Sequence, residues 1–214
     1  VIREELGRVN LTVLSGPSFA KEVVKKLPTA VTLASEDFST GLLLQEIFTT
    51  DYFRVYTHYD IIGVELGGAL KNVMAVAAGI SDGLGLGNNA RAALITRGLA
   101  EMTRLGVMMG AKENTFSGLS GLGDLILTCT SSLSRNYTLG FKLGKGERLA
   151  DVLSSTKSVA EGLETSKSAY ELSMLNHIDM PILEQVYFVL YENKIPYEAV
   201  NELMNRTLKS EFHV

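Results

Sequence analysis

Residues 67–79, GGALKNVMAVAAG, contain one charge, and Lys71 is the only ionisable side chain between Glu65 and Asp82. Its neighbours at helical spacing are Gly67, Gly68, Ala75 and Ala78, and Asn72 follows directly. Burial disfavours an ammonium, whereas an anionic ligand beside it favours one. A lysine held in a cleft can exchange a proton with an oxygen of a bound molecule. A lysine whose stem crosses apolar surface to reach water is the alternative, and the spacing leaves both readings open.

A second group runs from Asp124 to Asn136. On one continuous helix, Asp124, Thr128 and Arg135 fall on one face, with Ser131 between them. Ser134, Arg135 and Asn136 bring together three side chains able to bind phosphate, the guanidinium as a planar fork and the other two as neutral partners. Asp124 follows a flexible GLG, so first-turn capping accounts for it equally well, and a surface ion pair accounts for Arg135. Gly16-Pro17-Ser18-Phe19-Ala20 lies at the C-terminal end of an apolar run, where open α/β sheets bind ligands. A helix N-terminus placed there suits an anion, although a plain turn explains the glycine and proline.

The elements that must position these groups have two textures. Up to about residue 57, strand-like LTVLSG, TAVTLAS and YFRVYTH alternate with helix-like FAKEVVKKL, which Ser18 can cap, and GLLLQEIFTT, which Ser35-Glu36-Asp37 opens. Such repetition argues for part of an open α/β sheet. Beyond His58 the strand signals stop. Leu66, Leu70, Val73 and Ala77 recur at helical spacing, a second helix is expected from the Asn88-Asn89 caps, and Pro181 and Pro196 punctuate shorter helices near the end. Residues 1–58 are thus expected to form a partial α/β domain and residues 59–214 an all-α domain. Gly85, Gly87 and Ala90 match G-x-G-x-x-A in letters, but an Ala-rich helical segment precedes them instead of a strand. They are expected to be a helix connection, not a nucleotide loop.

The 214 residues carry a net charge of -4, which offers no general attraction to nucleic acid or anionic membrane. The lone Cys129 forms no disulfide within the chain and suits a reducing compartment. With His58, His177 and His213 far apart, no zinc-ligand spacing exists, and no metal is expected. No apolar run is expected to reach membrane-spanning length. The chain opens on Val1 in a sequence that reads as a helix already under way, and is expected to be part of a longer protein.

The stretches LSGPSFAKEV, GVELGGALKNVMAVAAGISDGL, NNARAALITRGLAEMTRLG and GLSGLGDLILTCTSSLSRN, with SVAEGLETSK and MPILEQVYFVLY further on, closely resemble the bacterial-type NAD(P)-dependent glycerol-3-phosphate dehydrogenases. The resemblance runs over nearly the whole chain and departs at the front, where the family's Gly-rich nucleotide loop and an upstream lysine are absent. It implies a partial Rossmann-type domain followed by a helical domain like the C-terminal one of 6-phosphogluconate dehydrogenase. The implied reaction interconverts dihydroxyacetone phosphate and sn-glycerol 3-phosphate with NAD or NADP, in the cytoplasm, to supply glycerophospholipids. Lys71 would then be the catalytic proton donor and acceptor. Asp124 would contact substrate and the lysine. Gly16, Ser18, Ser134, Arg135 and Asn136 would hold substrate, while Ala20, Arg135, Val159 and Glu161 would touch the nucleotide. Ser18 stands where the family often has threonine, with the hydroxyl retained. A phosphorylated small molecule and a second copy of the chain are the implied partners. A 3-hydroxyacid-type dehydrogenase and a non-catalytic helical dimerisation module are the rival readings.

Overall fold

The computed structural model describes residues 2–7, 9–155 and 160–211. After α1 (Ile2–Leu6), three strands, β1 (Thr12–Ser15), β2 (Thr29–Ser35) and β3 (Phe53–His58), form one sheet in that order. β2 and β3 run parallel with Val31 opposite Val55, whereas β1 is antiparallel to β2 with Leu14 opposite Leu33. Parallel neighbours need a crossover. α3 (Phe38–Phe48) supplies it, capped by the Asp37 carboxylate, which accepts from the Thr40 N–H at 2.6 Å. The helix between β1 and β2, α2, is far shorter than the sequence suggests, covering only Ala20–Val23. Lys26 adopts a left-handed φ of 59°, which ends it ahead of Pro28. Ser18 does not cap α2. Its hydroxyl donates to the Gly16 carbonyl at 2.9 Å, and Phe19 occupies the capping position without a side-chain bond.

Past β3 the chain is helical. α4 (Ile61–Gly83) and α5 (Gly87–Met108) lead through a 3-10 turn at Glu113–Ser117 and a π-helical turn at Leu119–Gly123 to α6 (Asp124–Thr130) and α7 (Arg135–Gly144). α8 (Leu149–Ser155), α9 (Gly162–Leu175), α10 (Pro181–Tyr191) and α11 (Pro196–Met204) complete the order. Proline opens both α10 and α11, where its missing N–H would have found no helical partner in any case. α4 is the axis, touching α5, α6, α7, α9 and α10. Val64, Val73, Met74, Val76 and Ala78 on it are wholly buried. Side chains of this kind contribute roughly 1.5–3 kcal/mol each when removed from water.

α4 overturns one expectation. Its 23 residues are long and apolar enough to cross a membrane by length and composition, with mean hydropathy 1.5 in its best window, 56% of which is buried inside the fold. Packing by the surrounding helices accounts for that apolarity. Its small residues have a structural purpose too. A Cβ on Gly79 or Gly83 would collide with the α7 backbone, and one on Gly140 or Gly144 with that of α4. These four glycines bring the two helices to backbone contact.

Two further boundaries move. The GLGLGNN segment is a helix connection as expected, with φ of 76° at Gly85 and 86° at Gly87. α5 starts at Gly87, however, and Asn88 is no cap: its side-chain oxygen accepts from Arg91 at 2.6 Å. The continuous helix from Asp124 to Arg135 is broken. α6 stops at Thr130, the Ser134 N–H meets the Ser131 carbonyl at 3.0 Å, and the Ser134 hydroxyl caps α7 by accepting from the Tyr137 N–H at 3.2 Å. Serines compete with the helix for backbone partners and favour this kind of turn and cap.

Candidate active site

Lys71 projects from the middle of α4 into a cleft of about 350 Å³ that opens between the end of β1 and the helical domain. Its ammonium pairs with the Asp124 carboxylate. The lysine side chain keeps 19% of its surface exposed and the aspartate 3%. Asp124 does not cap α6; it faces inward, with the Thr128 hydroxyl 2.6 Å from its carbonyl and 3.4 Å from Oδ1. Burial pushes the Asp124 carboxyl above its ordinary range, against the opposing pull of the Lys71 charge and hydrogen bond.

A second wall comes from the turn into α7. Ser134, Arg135 and Asn136 all line the cleft, though by way of the break and not along a helix face. Asn136 is 4% exposed and bonded through both amide atoms: its nitrogen donates to Asn72 Oδ1 at 3.0 Å, and its oxygen accepts from the Gly162 N–H at 2.8 Å. Asn72 donates in turn towards the Gly68 carbonyl at 3.5 Å. The amides therefore fix the α7 turn and the start of α9 against the residue next to Lys71. Gly162 permits this, since a Cβ there would lie 2.8 Å from both Asn136 Oδ1 and the Asn72 carbonyl.

At the mouth, Arg135 pairs with Glu161, each about half exposed. Such a pair contributes little to stability, on the order of 1 kcal/mol or less, so its guanidinium can turn to another anion at small cost. The third wall is the end of β1, where Gly16, Ser18 and Phe19 border the cavity. Gly16 is buried with φ of 146°, and a Cβ would sit 3.0 Å from Val31 Cα.

Most residues singled out in the sequence therefore share one hollow: Gly16, Ser18, Lys71, Asp124, Ser134, Arg135, Asn136 and Glu161. Ala20 is exposed on α2 and does not border it, and Val159 lies outside the described residues. The small neighbours of Lys71 divide between the cleft and the core. Gly68 does line the cleft, but Gly67 seats the π-helical turn at Ser120, and Ala75 and Ala78 are buried in the core. Thr128 lines the cleft beside Asp124, in keeping with their common face, whereas Asn72 acquires a position that the sequence reading did not assign it. An amide beside the lysine with no solvent face was the visible signal for Asn72.

A partial Rossmann-type sheet feeding an all-helical domain, with a polar cleft at their seam, is the architecture of two-domain dehydrogenases. The chain belongs to the NAD-dependent glycerol-3-phosphate dehydrogenase family: the model of that family's C-terminus matches residues 60–201, and the model of its N-terminus matches residues 1–40. Relatives include the glycerol-3-phosphate dehydrogenases (NAD(P)+) of Geobacter sulfurreducens, 61% identical over 99% of this chain and 63% of its own length, and of Syntrophotalea carbinolica, 61% identical over 92% and 60%. A crystal structure of glycerol-3-phosphate dehydrogenase from Coxiella burnetii superposes with a TM-score of 0.93 at 48% identity, covering 96% of this chain and 63% of that one. The Saccharomyces cerevisiae enzyme gives 0.85 at 31% identity, covering 94% and 61%. The chain thus spans about three-fifths of the length of these relatives.

Proposed function

We propose that this chain carries the substrate-holding and proton-transferring part of an enzyme that interconverts dihydroxyacetone phosphate and sn-glycerol 3-phosphate with NAD(P)H. The observation that carries the reading is the juxtaposition of Lys71, held by Asp124, with the Ser134–Arg135–Asn136 turn across one cleft. In this reading residues 1–58 are the remainder of the dinucleotide-binding domain and residues 59–214 the substrate domain.

Arg135, Ser134 and the end of β1 at Gly16 and Ser18 grip the phosphate, and Asn136 orients the carbonyl end. Anchoring away from the reacting carbon turns binding energy into alignment. When bound, the dinucleotide supplies or accepts the hydride. The residues present suit part of it: the Arg135–Glu161 pair gives a displaceable guanidinium at the mouth. Ala20 and Val159 belong to the same proposed contact set. The sequence holds no Gly-rich strand–turn–helix loop, so turnover is assigned to a longer protein that includes one.

In the reducing direction, negative charge develops on the carbonyl oxygen. The Lys71 ammonium stabilises that charge and then delivers its proton to the oxygen. In the oxidising direction the neutral amine takes the hydroxyl proton. Asp124 keeps the amine aimed, while its own burial keeps its carboxyl easier to protonate than an exposed one. A role in glycerophospholipid supply, a cytoplasmic setting and pairing with a second copy belong to the same proposal.

The test is Lys71→Ala in the intact protein containing this chain. Turnover is expected to fall by roughly 10³-fold or more with the thermal midpoint preserved. Retention of activity within about tenfold would exclude the lysine as the proton donor.

A further inference from the structure

The Leu119–Gly123 turn that leads into Asp124 is π-helical: the Gly123 N–H donates to the Gly118 carbonyl, five residues back, at 3.1 Å. Turns of this kind are rare and collect at functional sites. Two close approaches fix this one. On one side, a Cβ on Gly121 would lie 2.1 Å from the Phe116 carbonyl, and the Phe116 ring is itself buried against Gly106. On the other, a Cβ on Gly67 would lie 2.5 Å from the Ser120 carbonyl. The turn therefore rests directly on the backbone of α4.

The register of that contact ties it to the cleft. Gly67 and Lys71 stand four residues apart on α4 and share a face. Ser120 and Asp124 are likewise four residues apart on the opposing segment. The Gly67–Ser120 contact and the Lys71–Asp124 pair are thus successive steps along one seam. The first step involves backbone alone and cannot adjust by changing a rotamer, whereas the long lysine side chain follows its partner. Where the turn sits on Gly67 decides where Asp124 stands, and Asp124 aims the ammonium.

We infer that Gly67 is a positioning residue: its bare backbone sets how closely the π-helical turn and Asp124 approach α4, and through them where the Lys71 ammonium meets the substrate. The inference rests on the proton-transfer role proposed for Lys71. In Gly67→Ala the Ser120 carbonyl must retreat by about 1 Å to reach ordinary contact with the new methyl group. A misplacement of that size can cost about 10²-fold in rate. The phosphate grip belongs to other walls of the cleft, the α7 turn and the end of β1, and stays in place.

Gly83→Ala supplies the comparison. Its Cβ would meet a carbonyl just as closely, that of Phe141 at 2.4 Å, but on the last turn of α7, which does not border the cleft. In the intact protein containing this chain, both variants are expected to lower the thermal midpoint. Gly67→Ala is expected to lower kcat by about 10–100-fold with KM for dihydroxyacetone phosphate kept within about threefold, and Gly83→Ala to keep both within about threefold. In crystals of the chain, Asp124 is expected to stand about 1 Å further from α4 in Gly67→Ala and to be unmoved in Gly83→Ala. Should Gly67→Ala lose its cooperative thermal transition, Gly118→Ala carries the comparison. Its Cβ would lie 3.3 Å from the Thr115 carbonyl and shift the head of the turn by a few tenths of an ångström, for a several-fold fall in kcat. Equal loss of kcat in Gly67→Ala and Gly83→Ala, a raised KM with kcat kept, or an Asp124 that stays in place would overturn the inference. Full turnover by Lys71→Ala would instead remove the reading on which it rests, and the displacement of Asp124 would then decide the positioning by itself.

Discussion

Asp60 and Asp124 are both aspartates at the start of a helix, and both are almost fully buried, at 7% and 2% exposed. Their surroundings assign them opposite tasks. Asp60 caps α4, accepting from the Gly63 N–H at 2.9 Å, and also takes the Lys112 N–H at 2.8 Å and the Thr115 hydroxyl at 2.6 Å. Burial opposes its charge, but these bonds prevail and hold the carboxyl below its ordinary range. Among the described residues, Asp124 receives no backbone N–H. Its partners are Lys71 and Thr128, and burial prevails, holding its carboxyl above the ordinary range. A carboxylate whose bonds tie down backbone N–H groups and a buried threonine is structural. One that meets a partly exposed ammonium in a cleft is available for chemistry.

The largest effect that can break this contrast is kinetic. Asp124→Asn in the intact protein is expected to lower turnover by about 10²–10³-fold, because Lys71 loses the charge that aims it. Stability is expected to change by about 1 kcal/mol or less, since the ionised carboxyl is itself disfavoured by burial and the ammonium can hydrate in the cleft. Equal losses of turnover and stability would make Asp124 another structural aspartate. Asp60→Ala is the mirror image. It strips three hydrogen bonds from the junction of β3, α4 and the Glu113–Ser117 turn, and is expected to cost about 3 kcal/mol in chemical denaturation. Turnover of the folded fraction should stay near that of the parent protein.

A smaller effect sharpens the comparison through pH. Asp60, with its folded pKa depressed, contributes stability that is present above its ordinary value near 3.8 and is lost as pH falls through the lower folded value. Glu101 behaves oppositely: burial, only partly offset by the two α10 N–H bonds, raises it from 4.5 to about 7. Its contribution is fully present below pH 4.5 and is lost as pH rises through about 7, amounting to at most about 3 kcal/mol. Denaturation midpoints are therefore expected to be higher at pH 5.5 than at pH 8.5, and Glu101→Gln should flatten that difference. A midpoint that climbs steadily from pH 5.5 to 8.5 would contradict the assignment.

How much of this the sequence reveals depends on the range of the forces involved. β2, β3 and the crossover helix are legible because β-branched runs and Asp37 act locally. α4 is legible as a helix, but the reason for its glycines is not, since Gly79 and Gly140 make sense only once α7 lies against α4. The α6–α7 break is less legible: three serines in four residues offer the backbone other partners, but the helical spacing of Asp124, Thr128 and Arg135 runs straight across them. Lys71 stood out as a charge in apolar surroundings. The bridge between Asn72 and Asn136 did not, because the hydrogen bond between their side-chain amides joins residues 64 positions apart. Locally Asp60 differs from Asp124 in its cap bond from Gly63; the rest of the difference is written in long-range partners, Lys112 and Thr115 for one and Lys71 for the other.

The central claim is that Lys71 and Arg135 engage the same small phosphorylated molecule. It is tested most directly by titrating sn-glycerol 3-phosphate into the chain with nitrogen-15-labelled lysine and arginine side chains. The signals of Lys71 Nζ and Arg135 Nε are predicted to shift together along one saturation curve, and Arg135→Ala to abolish the shift at Lys71. Saturation of the two signals at different concentrations, or a shift at Arg135 with Lys71 unmoved, would contradict the claim.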